Sequence, residues 1–336
     1  MINTQGTLHR RLSAFVDWVR TDTDREDEIR TRAGNIRDAI SRKAKDDGLD
    51  IRSTPASGSF ATRTGLRRHM RGKSEVEGQD VDVPFVVAPK TKDDERLDVL
   101  LPRFEKYAQQ AYPDTERATT KSSVVLKFAD KINFDLVPML ATLDPNRQVL
   151  IRADGERRET SVQQHVDFIR TRNKKSNDMD GRVKFNEIVR LLKWWRCFRE
   201  ANSSSLDDIP SFLINLLAAY AFDNRGVQET YGGTIADWFG FLARAVRSQT
   251  AIVFTDYGVA VPMPFGLWSV RDPVNQDNNV VGKWTGLMCD EFAEWFEEGR
   301  DAMYDAIPAF DGGRDGDGMD CLVQVFGTPI RHHSEI

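Results

Sequence analysis

The residues best suited to do chemistry in this chain are acidic groups lodged in apolar, extended segments. Asp80 and Asp82 stand at i and i+2 in QDVDVPFVV, so both side chains leave the same face of one strand. Asp135 lies in INFDLV, flanked by Phe134 and Leu136. An unpaired carboxylate on a half-buried strand is penalised, because desolvation disfavours its charged form. A divalent cation removes that penalty and gives three such groups a reason to converge. Carboxylates with few other ligand types suit Mg2+, with Mn2+ as a substitute, and Mg2+ shares its coordination with water and substrate phosphates. Two such ions about 3.5–4 Å apart can hold the attacking and leaving oxygens of an in-line phosphoryl displacement. Taken singly, each motif has a plainer reading, since a DxD entering a strand is common and its carboxylates can simply face water.

Gly58-Ser59 adds to the acids. A Gly-Ser turn that follows an extended segment and opens into a helix presents backbone N–H groups and a hydroxyl to a phosphate. The elements that must carry these residues follow from hydrophobic spacing. Residues 7–20 and 24–45 read as helices, the first with Leu8, Leu12, Phe15, Val16 and Val19 on one face. Residues 51–57, 81–87, 122–129 and 132–138 read as extended, with Asp130-Lys131 as a turn, and 95–111 as a helix. The second half reads as helical over 160–172, 183–200, 209–222, 234–248 and 285–307, with 311–320 (DGGRDGDGMD) as a Gly/Asp-rich loop. The polar stretch 144–158, holding Pro145 and Gly155, marks a boundary, giving domains 1–150 and 151–336.

Composition bounds the function. The 336 residues are 40% apolar and 29% charged, as expected of a globular chain of two ordinary domains. A net charge of −5 argues against stable nucleic-acid binding or coating of an anionic membrane. Cys197, Cys289 and Cys321 are scattered, and the five histidines show no metal-ligand spacing. The most apolar run, Phe212–Phe222, is too short to span a bilayer, and no signal peptide is read at the N-terminus, so a cytoplasmic location and no membrane partner are expected. DGDGMD lacks the Gly and Glu positions of a calcium loop.

The order of these motifs carries a resemblance. GSFATRT, then QDVDVPFVV, then INFDLVPML resembles the catalytic core of the polymerase-β-like nucleotidyltransferases. VRLLKWWR, SFLINLLAAY and DPVNQDNNV are similar to the corresponding segments of the oligoadenylate-synthetase and cGAS branch. Together, over roughly residues 50–300, they resemble the bacterial cGAS/DncV-like nucleotidyltransferases, which make cyclic oligonucleotide signals in anti-phage (CBASS-type) defence. The resemblance implies an α+β fold: a nucleotidyltransferase core with a small mixed sheet, N-terminal helices and a C-terminal helical bundle, with the active site in the cleft between the halves. It implies Asp80, Asp82 and Asp135 as ligands of two Mg2+ ions, and Gly58 and Ser59 at the triphosphate of ATP or GTP. It further implies Lys193 and Ser211 at phosphate, and Phe212 against the base. Each of these three also has a structural reading, as does the Asn278-Asn279 pair, which can hold a turn.

A purine cyclic di- or trinucleotide is the implied product, with a dinucleotide favoured, and a cyclic-oligonucleotide-responsive effector and regulatory proteins are the implied partners. Two departures stand out. The run between Ser59 and Asp80 is long and basic (Arg63, Arg67, Arg68, Arg71, Lys73), read as a solvated insertion or a phosphate-contacting lid, and Phe212 replaces a family Tyr. The rival readings are a transferase acting on RNA or a protein acceptor, and a non-catalytic nucleotide-binding regulator.

Overall fold

A computed structural model of the chain describes residues 6–71, 74–77, 79–152, 154–179, 183–203, 205–206, 209–259 and 268–335. The elements run α1 (Thr7–Val19), α2 (Thr23–Asp46), β1 (Ile51–Ser53), α3 (Gly58–Thr62), β2 (His69–Arg71), β3 (Ser74–Glu77) and β4 (Gln79–Val87). A single 3-10 turn (Asp93–Glu95) leads into α4 (Leu97–Ala111), then β5 (Glu116–Thr119), β6 (Val124–Lys127), β7 (Ile132–Ala141), β8 (Gln148–Ile151) and β9 (Arg157–Thr160). Helices follow: α5 (Val162–Asp178), α6 (Phe185–Glu200), α7 (Ser211–Arg225), α8 (Tyr231–Arg247), α9 (Gly286–Asp311), α10 (Asp315–Phe326) and α11 (Pro329–His333). The chain forms two compact units, one of residues 21–69 and 77–167, the other of residues 1–20, 70–76 and 168–336.

The first unit is built on a mixed sheet of order β1-β4-β7-β6-β5, extended by β8 beside β7 and β9 beside β8. β4 and β7 run parallel at its centre. Their period-2 alternation sorts the two faces. Val81, Val83, Phe85 and Val87 of β4 and Ile132, Phe134 and Leu136 of β7 enter one apolar core with Ile29, Ile36 and Ile40 of α2 and Leu100 and Phe104 of α4. Each such side chain, fully buried, contributes about 1.5–3 kcal/mol, so the core fixes which way each strand faces. Asp80, Asp82, Asn133 and Asp135 take the alternate positions and project from the opposite face. α2 is held at its start by the Asp22 carboxylate, which accepts from the Asp24 N–H at 2.9 Å, with Lys43 and Lys45 in its last turn.

The second unit packs α6, α8 and α9 around Trp195, whose ring stacks on Phe296 and lies 4.9 Å from Phe239. Trp194 donates its indole N–H to the Phe326 carbonyl at 2.9 Å and meets Phe15 of α1 edge-on. Arg172 is buried over the Phe168 ring, 3.8 Å from its centroid, and donates to both Asp223 and Asp256.

The α+β class and the mixed sheet match the expected core, and the differences are local. The stretch expected to separate domains, 144–158, contributes to the sheet instead, because β8 pairs onto β7 and β9 pairs onto β8. The units divide after Asp167, within α5, rather than near residue 150. α1 belongs with the helical unit, its apolar face closing on α6, α8 and α9, whereas the sequence places it with the catalytic core. The expected loop 311–320 contracts to a three-residue break, and DGDGMD opens α10. Asp315 and Asp317 suit the positive end of that helix, and Gly318 gives room to Phe310, whose ring would stand 2.6 Å from a Cβ there. Of the basic run, Lys73 and the side chains of Arg71, Glu75 and Glu77 lie outside the described residues.

Candidate active site

β4 and β7 bring the acids together by register. Asp82 pairs with Asp135, and Asp80 with Asn133. Parallel neighbours in register point the same way at a strand spacing of roughly 4.8 Å, so three carboxylates and one amide share a small patch. Asn133 donates from Nδ2 to Asp80 Oδ1 at 2.9 Å, and Ser123 donates from Oγ to Asp135 Oδ1 at 3.1 Å. Asp82 accepts no hydrogen bond among the described residues.

Asp82 is solvent-exposed, yet its pKa is pushed up to about 6. Desolvation is the main cause, followed by the charges of Asp135 and Asp80. Asp135 is also raised, mainly by desolvation, with the Ser123 hydroxyl opposing the shift and Asp80 adding to it. Such a cluster carries more negative charge than its surroundings neutralise.

Among the described residues no three His, Cys, Asp or Glu groups are gathered into a ready metal cage. Asp80 is turned to the Asn133 amide and Asp135 to the Ser123 hydroxyl. The donor set still fits Mg2+, which needs only one or two protein carboxylates beside water and phosphate oxygens.

The Gly58-Ser59 turn stands against the same patch. Gly58 has φ +74°, and a Cβ on it would lie 3.2 Å from Asp82 Oδ2, so glycine is needed for both conformation and approach. The turn is tied internally: the Thr64 N–H donates to the Ser59 carbonyl at 2.9 Å, and Thr62 Oγ1 sits 2.9 Å from Thr64 Oγ1. Thr21 Oγ1 anchors the next residues by donating to the Leu66 carbonyl at 2.8 Å. The half-buried Ser59 hydroxyl makes no hydrogen bond among the described residues, which leaves it available to a ligand oxygen.

Lys193, Ser211 and Phe212 belong to the helical unit. Lys193 is buried in α6, and Phe212 is half-buried in the first turn of α7. Ser211 opens α7 and accepts from Arg196 Nη2 at 3.1 Å, while Arg196 Nη1 donates to the Ile209 carbonyl at 2.7 Å.

Residues 7–173 match the Second Messenger Oligonucleotide or Dinucleotide Synthetase domain. The Cyclic AMP-AMP-AMP synthase of Escherichia coli (strain MS 115-1) is 25% identical over 311 residues, 90% of this chain and 92% of the relative. The solved structure of E. coli MS115-1 CdnC with ATP superposes with a TM-score of 0.80 at 25% identity, covering 96% of this chain and 98% of that one. The chain belongs to the bacterial cGAS/DncV-like nucleotidyltransferases. CdnG of Bradyrhizobium diazoefficiens, solved with GTP, shares the fold at 14% identity and TM-score 0.73, covering 97% of each chain. So does the Vibrio cholerae cyclic AMP-GMP synthase DncV, at 12% identity and TM-score 0.71, covering 96% of this chain and 97% of that one. CdnC is also solved in a CdnC:HORMA-deltaN complex, with TM-score 0.80, 25% identity and coverage of 97% and 99%.

In this cGAS/DncV-like chain the DPVNQDNNV segment does structural work. Asp272 is buried, accepts from the Val274 N–H at 2.9 Å and from Asn278 Nδ2 at 3.1 Å, and so closes the loop on itself. Asn279 Oδ1 accepts from the Val270 N–H at 3.0 Å. Three residues escape the sequence reading: Asn133, Ser123 and Arg196. Asn133 lies two before Asp135 and therefore on its face, a signal open to period-2 reasoning. Its placement beside Asp80 needs the strand register.

Proposed function

We propose that Asp80, Asp82 and Asp135 are the metal-binding catalytic carboxylates of an enzyme that joins and cyclises ATP and/or GTP, releasing pyrophosphate. The observation that carries this is the in-register carboxylate patch on β4 and β7 with the Gly58-Ser59 turn against it. Bound Mg2+, or Mn2+, would supply charge neutralisation at the triphosphate and a lowered pKa for the attacking ribose hydroxyl. Asp80 and Asp82 would hold both ions beside the triphosphate, and Asp135 would help hold the ion that activates the attacking hydroxyl. Ser59 and the backbone of its turn hold the outer phosphates, and Lys193 and Ser211 assist from the helical unit, with Phe212 against a base. Catalysis is then positioning and electrostatics, with no covalent protein intermediate.

The product is a cyclic trinucleotide of adenylate, by similarity to the cyclic AMP-AMP-AMP synthase over most of the chain. This replaces the dinucleotide favoured by the motifs alone. The chain works in the cytoplasm in CBASS-type anti-phage signalling, under a HORMA-type regulatory protein and upstream of a cyclic-nucleotide-responsive effector. No helix among the described residues is long and apolar enough to cross a membrane. Incubation with nucleotides alone tests the reading: the wild type releases pyrophosphate, and an Asp80→Asn/Asp82→Asn double variant does not. A double variant of wild-type rate refutes it.

A further inference from the structure

Asn133 and Ser123 are uncharged groups in a patch of carboxylates, and each spends a hydrogen bond on one oxygen of an outer acid. Asn133 Nδ2 lies 2.9 Å from Asp80 Oδ1 across strands in register. Ser123 Oγ lies 3.1 Å from Asp135 Oδ1, while its own hydroxyl is also 2.8 Å from Thr120 Oγ1. The other oxygen, Oδ2, of both acids makes no hydrogen bond among the described residues, nor does either oxygen of Asp82. Three carboxylates at strand spacing repel one another, and an exposed Asp otherwise samples several rotamers.

We infer that Asn133 is a positioning residue, which holds Asp80 by Oδ1 so that Oδ2 faces the cation, as Ser123 does for Asp135. The inference rests on the assignment of these acids as metal ligands. Asn133 touches no reacting atom. Its amide offers a donor without charge, so it fixes the carboxylate while leaving the negative charge intact for the metal. A Lys or Arg there would compete with the cation, and an apolar residue would leave the carboxylate to turn. Outer hydrogen bonds of this kind typically carry about 10–100-fold of metal affinity.

The experiment compares wild type, Asn133→Leu (similar size, no N–H) and Asn133→Gln (donor kept) in two readouts. Mn2+ alone is titrated by electron paramagnetic resonance, and the Mn2+ dependence of pyrophosphate release from ATP is measured in parallel. Asn133→Leu is expected to weaken Mn2+ binding by about 10-fold or more and to move the activity midpoint upward equally. At saturating Mn2+ most of the rate returns, and Asn133→Gln retains part of the affinity. Melting curves confirm that both variants are folded, and an unfolded Asn133→Leu leaves the decision to Asn133→Gln and to Ser123→Ala, which must weaken Mn2+ in the same sense. Unchanged Mn2+ affinity in the folded variants overturns the inference. If Asp80→Asn/Asp82→Asn also leaves Mn2+ binding unchanged, the ligand assignment itself fails, so the two failures are distinguishable.

Discussion

Replacing Asp82 with Asn should stabilise the metal-free protein while destroying its activity. The ordinary carboxylate pKa of 3.8 is raised to about 6 at Asp82. Between those values the folded protein keeps a proton that the unfolded chain has released. Stability therefore falls as pH rises through that window and stays low above it. A rise of that size corresponds to about 3 kcal/mol at full effect. Because Asp82 is solvent-exposed, screening reduces the expected value to about 1 kcal/mol. Asn removes the charge with little change of shape, so the gain should appear as a rise of about 1–2 °C in melting temperature. The assay is thermal melting in EDTA from pH 4 to pH 8. The variant should melt above wild type at pH 7.5, with the difference gone near pH 4. In saturating Mg2+ the order should reverse, since ligation stabilises only the wild type. A variant that melts at or below wild type at pH 7.5 in EDTA refutes the reasoning, as does a difference that does not depend on pH.

The remaining predictions are local. Gly58→Ala forces a side chain into a φ of +74° and to 3.2 Å from Asp82 Oδ2, so it should destabilise by about 1–3 kcal/mol and lower kcat, measured by denaturation and pyrophosphate release. Arg172→Met leaves Asp223 and Asp256 without their shared cation and should cost about 3 kcal/mol in chemical denaturation. Arg172→Lys should restore only part of that loss, since one ammonium cannot reach both acids in the same geometry.

Much of the site is legible in the chain because its geometry is local. The i, i+2 spacing puts Asp80 and Asp82 on one face, and Gly58 is marked by its place before a short helix. Whatever depends on pairing is not legible. The Asn133–Asp80 contact exists only through the register of β4 against β7, set by the apolar residues on the other face of both strands. β5 and β9 (ERAT, RRET) are short and polar and β8 (QVLI) is only four residues long, so none declares itself. They form because β6 offers an edge to β5, β7 to β8 and β8 to β9. α10 was hidden by glycines, one of which is needed by Phe310 rather than by a turn. α1 carries a readable apolar stripe, but nothing in that stripe says which unit will cover it.

Product analysis tests the assignment of this chain as a cyclic oligonucleotide synthase most directly. The wild type is incubated with all four nucleoside triphosphates and Mg2+ or Mn2+, and products are separated and identified by mass. The expected result is a cyclic adenylate trimer made without any macromolecular acceptor and absent from Asp80→Asn/Asp82→Asn. Nucleotide incorporated only into added RNA or protein, with no cyclic product, would contradict it.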